Sequence, residues 1–375
     1  MSADLKSLYR TAVAEAFPGR IAVEFGDRRV EYRKVTWPAE GDGSFGLRYG
    51  ENPHQPAAFY AAPGASALGS LSWLKIGKGG PSWINLADIE HAMRILRFFA
   101  NPAAVVMKHL NPSGAACRSG DEPLARIYAA ARDCDSRAAF GGVVVLNESI
   151  DGATAEEISA TYVEVVAAPG FSDEALEIFG RKKDLRVART CDPRSLPRFA
   201  GDPTHDVLDL KVATDGSLLV QQPYLTRIRT GRDFKLHPEV KSSDGSAVRA
   251  DVAPTAEQLD DLLLAWYVNT GVRSNGIVFA RGGRTLAIGT GEQERVGAVE
   301  QAIAKAKQKG HDLRGAVMSS DAFFPFRDAV DACAAEGVAA IVQPGGSLRD
   351  AEVVTACNDH RIALTFTEER CFGHF

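Results

Sequence analysis

The apolar positions of this 375-residue chain fall into short dense runs separated by stretches of helical period, and that alternation predicts an α/β fold. Residues 103–107, 143–146 and 338–342 have the length and apolar density of strands covered on both faces. Residues 88–99 and 296–309 repeat apolar side chains at helix spacing. Residues 276–280 and 285–288 flank Arg281-Gly282-Gly283-Arg284, a hairpin signal because a Gly-Gly pair accepts positive φ. Ahead of these, Leu5, Leu8, Tyr9, Val13 and Phe17 predict one amphipathic helix, and Ile21, Val23 and Phe25 a strand. A stretch rich in Pro, Arg and Asp at 192–206 is the expected linker. A chain of this length should hold two cores, which gives an N-terminal extension (1–45), a first α/β subdomain (46–200) and a second (201–375).

Candidate chemistry concentrates where the first buried strand ends, at Lys108-His109-Leu110-Asn111-Pro112-Ser113-Gly114. Pro112 and Gly114 are expected to stop the strand, and the Asn-Pro-Ser-Gly stretch to turn the chain. Neighbouring strand residues point to opposite faces, so Lys108 and His109 can share a site only if the backbone turns between them. For a Lys-His pair alone, a surface lysine beside a core histidine is the plainer reading. Later in the chain, Pro344-Gly345-Gly346-Ser347 joins a strand to a helix opening near Asp350. Its amides suit a phosphate or carboxylate cradle, or a plain turn that needs glycine.

Other chemistries are poorly served. His237-Pro238-Glu239 matches half of a zinc deaminase signature, but no Pro-Cys-x-x-Cys accompanies it, so His237 is read as a loop histidine and no metal is expected. Gly289-Thr290-Gly291 lacks the third glycine of a dinucleotide fingerprint, Gly77-Lys78 is not followed by Ser or Thr, and Gly-x-Ser-x-Gly does not occur. Lys plus Arg total 43 against 48 Asp plus Glu, a formal charge of -5, which argues against general nucleic-acid binding. Six cysteines form no Cys-x-x-Cys pair, no apolar run is long enough for a membrane span and no signal-peptide pattern opens the chain. The expectation is therefore a cytoplasmic protein.

Several strings occur together in a telling order: Arg48-Tyr49-Gly50-Glu51-Asn52-Pro53-His54-Gln55, Asn85-Leu86-Ala87-Asp88, the Lys108-His109 segment, Ala139-Phe140-Gly141-Gly142 and Ala168-Pro169-Gly170-Phe171-Ser172. Ser274-Asn275, residues 321–328, Gln343-Pro344-Gly345-Gly346-Ser347 and residues 370–374 follow. In these the chain resembles the formyltransferase half of the bifunctional purine-biosynthesis family, aminoimidazole carboxamide ribonucleotide (AICAR) transformylase. The resemblance implies two cytidine-deaminase-like α/β/α subdomains with mixed sheets. It also implies formyl transfer from 10-formyltetrahydrofolate, a co-substrate, to the 5-amino group of AICAR, in a homodimer with its sites at the interface. Carried over position by position, Lys108 and His109 are catalytic, and Arg48, Tyr49, Asn85, Asn275, Arg370 and His374 bind the nucleotide. Phe323 and Asp328 lie by the folate.

Each residue type suits its implied task. Arginine makes bidentate phosphate contacts, an amide can read a carboxamide, and an aromatic ring can stack on a pterin. An imidazole has an unperturbed pKa near ~6.5, fit for taking the proton of a weakly nucleophilic amine. Departures occur too: Ser113 stands where the family commonly has Cys, Thr270 lies where lysines are usual, Glu292 replaces Gln and Gly373 replaces a basic residue. These leave a related amino-imidazole nucleotide, or a non-catalytic nucleotide- or folate-binding role, as alternatives. The family's cyclohydrolase domain has no counterpart before residue 47, so transformylase without cyclohydrolase activity is the expectation.

Overall fold

The computed structural model describes residues 12–38, 43–77, 79–204 and 207–374, and the chain divides into two units, 1–194 and 195–375. Most of the expected leader helix, with Leu5, Leu8 and Tyr9, lies outside the described residues. Val13 and Phe17 sit in chain without regular structure. The alternating segment forms β1 (Arg20–Phe25), paired with β2 (Arg28–Val35), which in turn pairs with β3 (Phe59–Ala61).

The first unit is built on a mixed sheet. Its elements in chain order are β4 (Ser72–Lys75), α1 (Trp83–Leu96), β5 (Ala103–Lys108), β6 (Asn111–Cys117), α2 (Leu124–Cys134), α3 (Ser136–Ala139), β7 (Val143–Leu146), α4 (Gly152–Ser159), β8 (Val165–Ala168), α5 (Asp173–Gly180) and β9 (Arg186–Arg189). In space the strands run β6-β5-β7-β8-β9-β4, with β7, β8 and β9 parallel and the other pairings antiparallel. One face packs Ala104, Val106, Val144, Leu146 and Val166 against Ile127 and Tyr128 of α2, Ile158 of α4 and Phe179 of α5. Their alternates Val105, Met107 and Val145 are also fully buried, and α1 lies against β5 and β7.

The second unit repeats this plan. Here β10 (Lys235–Leu236) precedes α6 (Ala256–Asn269), β11 (Ile277–Arg281), β12 (Arg284–Gly289), α7 (Arg295–Lys309), β13 (Val317–Ser320), α8 (Asp328–Ala335), β14 (Ala340–Gln343), α9 (Asp350–Asp359) and β15 (Ala363–Phe366). The spatial order is β12-β11-β13-β14-β15-β10, again with three parallel strands between a hairpin and an antiparallel edge. Helices α7, α8 and α9 cover one face through Val299, Val330 and Val354, and α6 packs against β11 and β13. The α/β class with mixed sheets is thus what forms.

One local expectation is overturned. Pro112 and Gly114 do not end the structure at the strand; they lie inside β6, the return strand of a tight hairpin. The register shifts between Val106 and Met107, leaving Ser113 as the extra residue of a β-bulge, and a bulge is where a sheet accepts proline. Gly114 serves close approach: a Cβ there would stand 2.0 Å from the Ala131 carbonyl oxygen on α2. The turn itself is made by His109 and Leu110, not by the Asn-Pro-Ser-Gly stretch.

Candidate functional site

In the first unit, Lys108 and Asn111 close the hairpin β5-β6, and the two residues between them both take positive φ, 54° at His109 and 62° at Leu110. This is the pattern of a two-residue primed turn, which normally calls for Gly, Asn or Asp. Holding an L-residue in the left-handed region costs roughly 1–2 kcal/mol, so the turn needs external support. Asp88 of α1 supplies it: its carboxylate accepts the Leu110 amide at 2.7 Å and faces the His109 amide. Burial pushes the Asp88 carboxyl up to about 6, against the opposing pull of the Leu110 amide and of Lys108. His109 itself is exposed, so the pair is not the surface lysine beside a core histidine that the bare sequence allows.

Lys108 is half-buried, and its ammonium donates to the carbonyl oxygens of Gly141 (2.7 Å) and Phe140 (3.2 Å). Two of its three N–H groups are thereby engaged and one remains for a ligand. The Ala139-Phe140-Gly141-Gly142 string therefore seats the lysine. Ser113, buried, donates to the Val106 carbonyl oxygen at 3.1 Å and serves the bulge.

Arg48 and Tyr49 are both buried; the guanidinium lies over the Tyr49 ring, 4.6 Å from its centroid, and donates to its hydroxyl at 3.1 Å. Asn85 is the third residue of α1, and its side chain accepts the Ser82 amide while the Ser82 hydroxyl accepts the Asn85 amide. That capping box fixes Asn85 by its Oδ1 and leaves its Nδ2 facing Glu164 at 3.4 Å. Arg186 of β9 is buried and donates to the Gly80 carbonyl oxygen at 2.6 Å; burial and the nearby Arg48 charge hold its pKa below the ordinary arginine value, offset by Glu164. The first unit thus gathers two buried guanidinium groups beside an amide and a carboxylate. Sequence reasoning missed Arg186 and Glu164, because sheet order, not spacing, brings them near Arg48.

The second unit holds another cluster. The Ser274-Asn275 peptide bond is cis. Fully buried Asp321 accepts the Ser274 hydroxyl (2.5 Å) and the Gly276 amide (2.8 Å), and forms an ion pair with buried Arg295. Arg295 also donates to Asn275 Oδ1 at 2.7 Å, while Asn275 Nδ2 donates to the Gln293 carbonyl oxygen at 3.0 Å. The C-terminal segment runs alongside: the Ser274 amide donates to the Gly373 carbonyl oxygen, and the Cys371 amide to that of Asp321. Phe372 is stacked by Arg370 (4.7 Å) and meets His374 edge-on (5.4 Å). Asn275, Arg370 and His374 are therefore brought together, around Arg295 and Phe372.

Phe323 is 42% exposed and Asp328 exposed at the start of α8, whereas Phe324 between them is fully buried, so the Phe-rich string divides into core and surface positions. Glu292, an unfavourable charge by sequence, accepts Gln301 Nε2 at 2.5 Å. Of the two readings of the loop at 344–347, the plain turn is what forms: Asp350 accepts the amides of Gly346 (2.6 Å) and Ser347 (3.1 Å) and so occupies the place an anion would take. His237 lies in a loop and contacts the Ala250 carbonyl oxygen through Nδ1 at 2.8 Å, and among the described residues no group of three or more His, Cys, Asp or Glu is placed to hold a metal ion. Among those residues, too, no helix is long and apolar enough to cross a membrane.

The family model described as AICARFT/IMPCHase bienzyme matches residues 5–305. The chain belongs to that family. It is 44% identical over 92% of its length to the bifunctional purine biosynthesis protein PurH of Magnetococcus marinus. It is 44% identical over 88% to the PurH protein of Sorangium cellulosum, and 40% identical over 88% to that of Aquifex aeolicus. The chain spans about 60% of the length of these relatives.

Proposed function

We propose that this chain transfers a formyl group from 10-formyltetrahydrofolate to the 5-amino group of AICAR, the formyl-transfer half of its family's description. The observation that carries the reading is the Lys108-His109 turn: an exposed imidazole held at positive φ beside an ammonium with one N–H to spare. The chemistry needs a base, an oxyanion donor and a proton for the leaving nitrogen. In the proposed reaction the amine nitrogen attacks the formyl carbon while His109 takes its proton. Lys108 stabilises the oxyanion of the tetrahedral intermediate. Collapse breaks the bond to folate N10, which takes a proton from the Lys108 ammonium and departs as tetrahydrofolate; His109 releases the amine proton to solvent and Lys108 regains one from it.

In this reading Arg48, Tyr49, Asn85, Asn275, Arg370 and His374 bind the nucleotide, and Phe323 and Asp328 serve the folate. The chain works as a homodimer with sites at the interface between copies, in the cytoplasm. General acid-base help supplies about 10²- to 10⁴-fold, so alignment of the two substrates must supply much of the remaining acceleration. Mixing the purified protein with AICAR and 10-formyltetrahydrofolate and following tetrahydrofolate absorbance tests the proposal; tetrahydrofolate formation no faster than in controls lacking the protein or AICAR refutes it.

A further inference from the structure

The two units repeat one hairpin in detail, and the comparison isolates what the first unit's hairpin does beyond holding itself together. In the second unit Arg281 and Arg284 close β11-β12, and the residues between them are Gly282 (φ 62°) and Gly283 (φ 74°). The sixth residue of α6 is Asp261, buried, and its carboxylate accepts both glycine amides at 2.8 Å. The sixth residue of α1 is Asp88, which grips the His109-Leu110 turn in the same way. Arg281 donates to the Arg314 carbonyl oxygen just before Gly315 (φ 73°), as Lys108 donates to that of Phe140 just before Gly141 (φ 67°). Even the bulge recurs, between Phe279 and Ala280 in one unit and between Val106 and Met107 in the other.

Shared features belong to the frame; the difference is that the first unit carries His and Leu where the frame carries Gly and Gly. A Gly-Gly turn forms readily, whereas a His-Leu turn costs roughly 1–2 kcal/mol per residue. We infer that Asp88 is a positioning residue, whose buried carboxylate holds the strained turn and so fixes where the His109 imidazole stands. Asp261 makes the same contact around a turn that needs no such hold and bears no side chain to aim. The inference rests on the proposed formyl transfer for its kinetic readout and on the turn geometry for its physical one.

The test compares full-length variants. In Asp88→Ala, kcat should fall at least ~10-fold with the nucleotide KM changed less than ~3-fold, the split expected when alignment and not binding is lost. Asp88→Asn, which keeps an oxygen for the Leu110 amide, should recover most of that loss. Asp88→Ala/Leu110→Gly should recover part of it by relaxing the turn, and Asp261→Ala should leave kcat within ~2-fold. Hydrogen exchange at the Leu110 amide should be at least ~10-fold faster in Asp88→Ala than in wild type. An unchanged kcat in Asp88→Ala, or an equal loss in Asp261→Ala, overturns the inference. If Asp88→Ala does not fold, Asp88→Ser, whose hydroxyl is too short to reach the Leu110 amide, takes its place, with the same two readouts required to move together. If wild type transfers no formyl group to AICAR, the functional reading fails by itself. The exchange measurement then decides the positioning claim: equal Leu110 protection with and without the Asp88 carboxylate rejects it, and a released amide supports it.

Discussion

Replacing His109 by glycine separates chemistry from architecture more cleanly than any other single change. The residue sits at φ 54° and is exposed, so its side chain contributes little burial while its backbone is strained. Glycine removes a penalty of roughly 1–2 kcal/mol at this conformation. It also makes the unfolded chain freer, which costs about 0.4–1 kcal/mol. The net expectation for His109→Gly is a fold as stable as wild type or more stable by up to about 1.5 kcal/mol, a rise in Tm of about 0–6 °C for a unit of this size. Alanine relieves no strain, so His109→Ala should not share the rise.

Activity should move the other way. If the imidazole is the general base, both variants lose at least ~10²-fold in kcat with AICAR and 10-formyltetrahydrofolate, with nucleotide affinity changing far less. Calorimetry alongside a tetrahydrofolate absorbance assay reads both quantities on the same samples. A His109→Gly protein retaining near-normal kcat refutes the base assignment. A fall of several degrees in its Tm refutes the strain argument, independently of the chemistry.

Burial raises the Asp88 carboxyl from 3.8 to about 6, so its contribution to stability is fully present below the unfolded value and is lost as pH rises through 6. The stability of wild type relative to Asp88→Asn, from urea unfolding, should therefore shrink by about 3 kcal/mol between pH 3.5 and 7, at ~1.4 kcal/mol per pKa unit; a constant difference rejects this. Asp321→Asn leaves buried Arg295 without its counter-ion and should cost about 3 kcal/mol or more, seen as a lower urea midpoint with weakened nucleotide binding. For assembly, sedimentation should show a dimer at micromolar concentration. Mixed His109 and Asp328 variants should then complement one another if the two residues meet across the interface between copies, and a fully active monomer refutes the dimer.

Legibility in the sequence was uneven for physical reasons. Residues 143–146 and 103–107 are doubly covered strands whose apolar density is local information, and both form as the pattern predicts. The hairpin at Arg281-Gly282-Gly283-Arg284 was equally plain, because Gly-Gly advertises positive φ. Its twin at Lys108 was not. His-Leu carries no turn signal, and Pro112 and Gly114 looked like a stop when one sits at a bulge and the other admits a helix. The Asp88 contact spans 22 residues and the Arg295–Asp321 pair 26, separations that no local pattern encodes. Residues Arg48, Asn85, Lys108 and Asn275 could be named from family strings, but their internal duties as ring partner, capping residue, anchored cation and ligand of Arg295 emerged only from the fold.

The repeated hairpin also sharpens what should be asked of Lys108. A cation at this position donating to the carbonyl just before a glycine turn is common to both units, as lysine in one and arginine in the other. Anchoring alone therefore does not require lysine, and a residue retained only as an anchor should tolerate exchange for arginine. Lysine differs in carrying a compact charge whose third N–H can swing toward an oxyanion or a departing nitrogen, whereas a planar guanidinium seated on the same carbonyls directs its remaining donors elsewhere. Lys108→Arg should accordingly preserve Tm within ~2 °C while lowering kcat at least ~10-fold, and Lys108→Ala should lose stability, nucleotide affinity and turnover together. A Lys108→Arg enzyme with wild-type turnover would mean that the lysine acts as scaffold alone, and the oxyanion donor would have to be sought on another side chain.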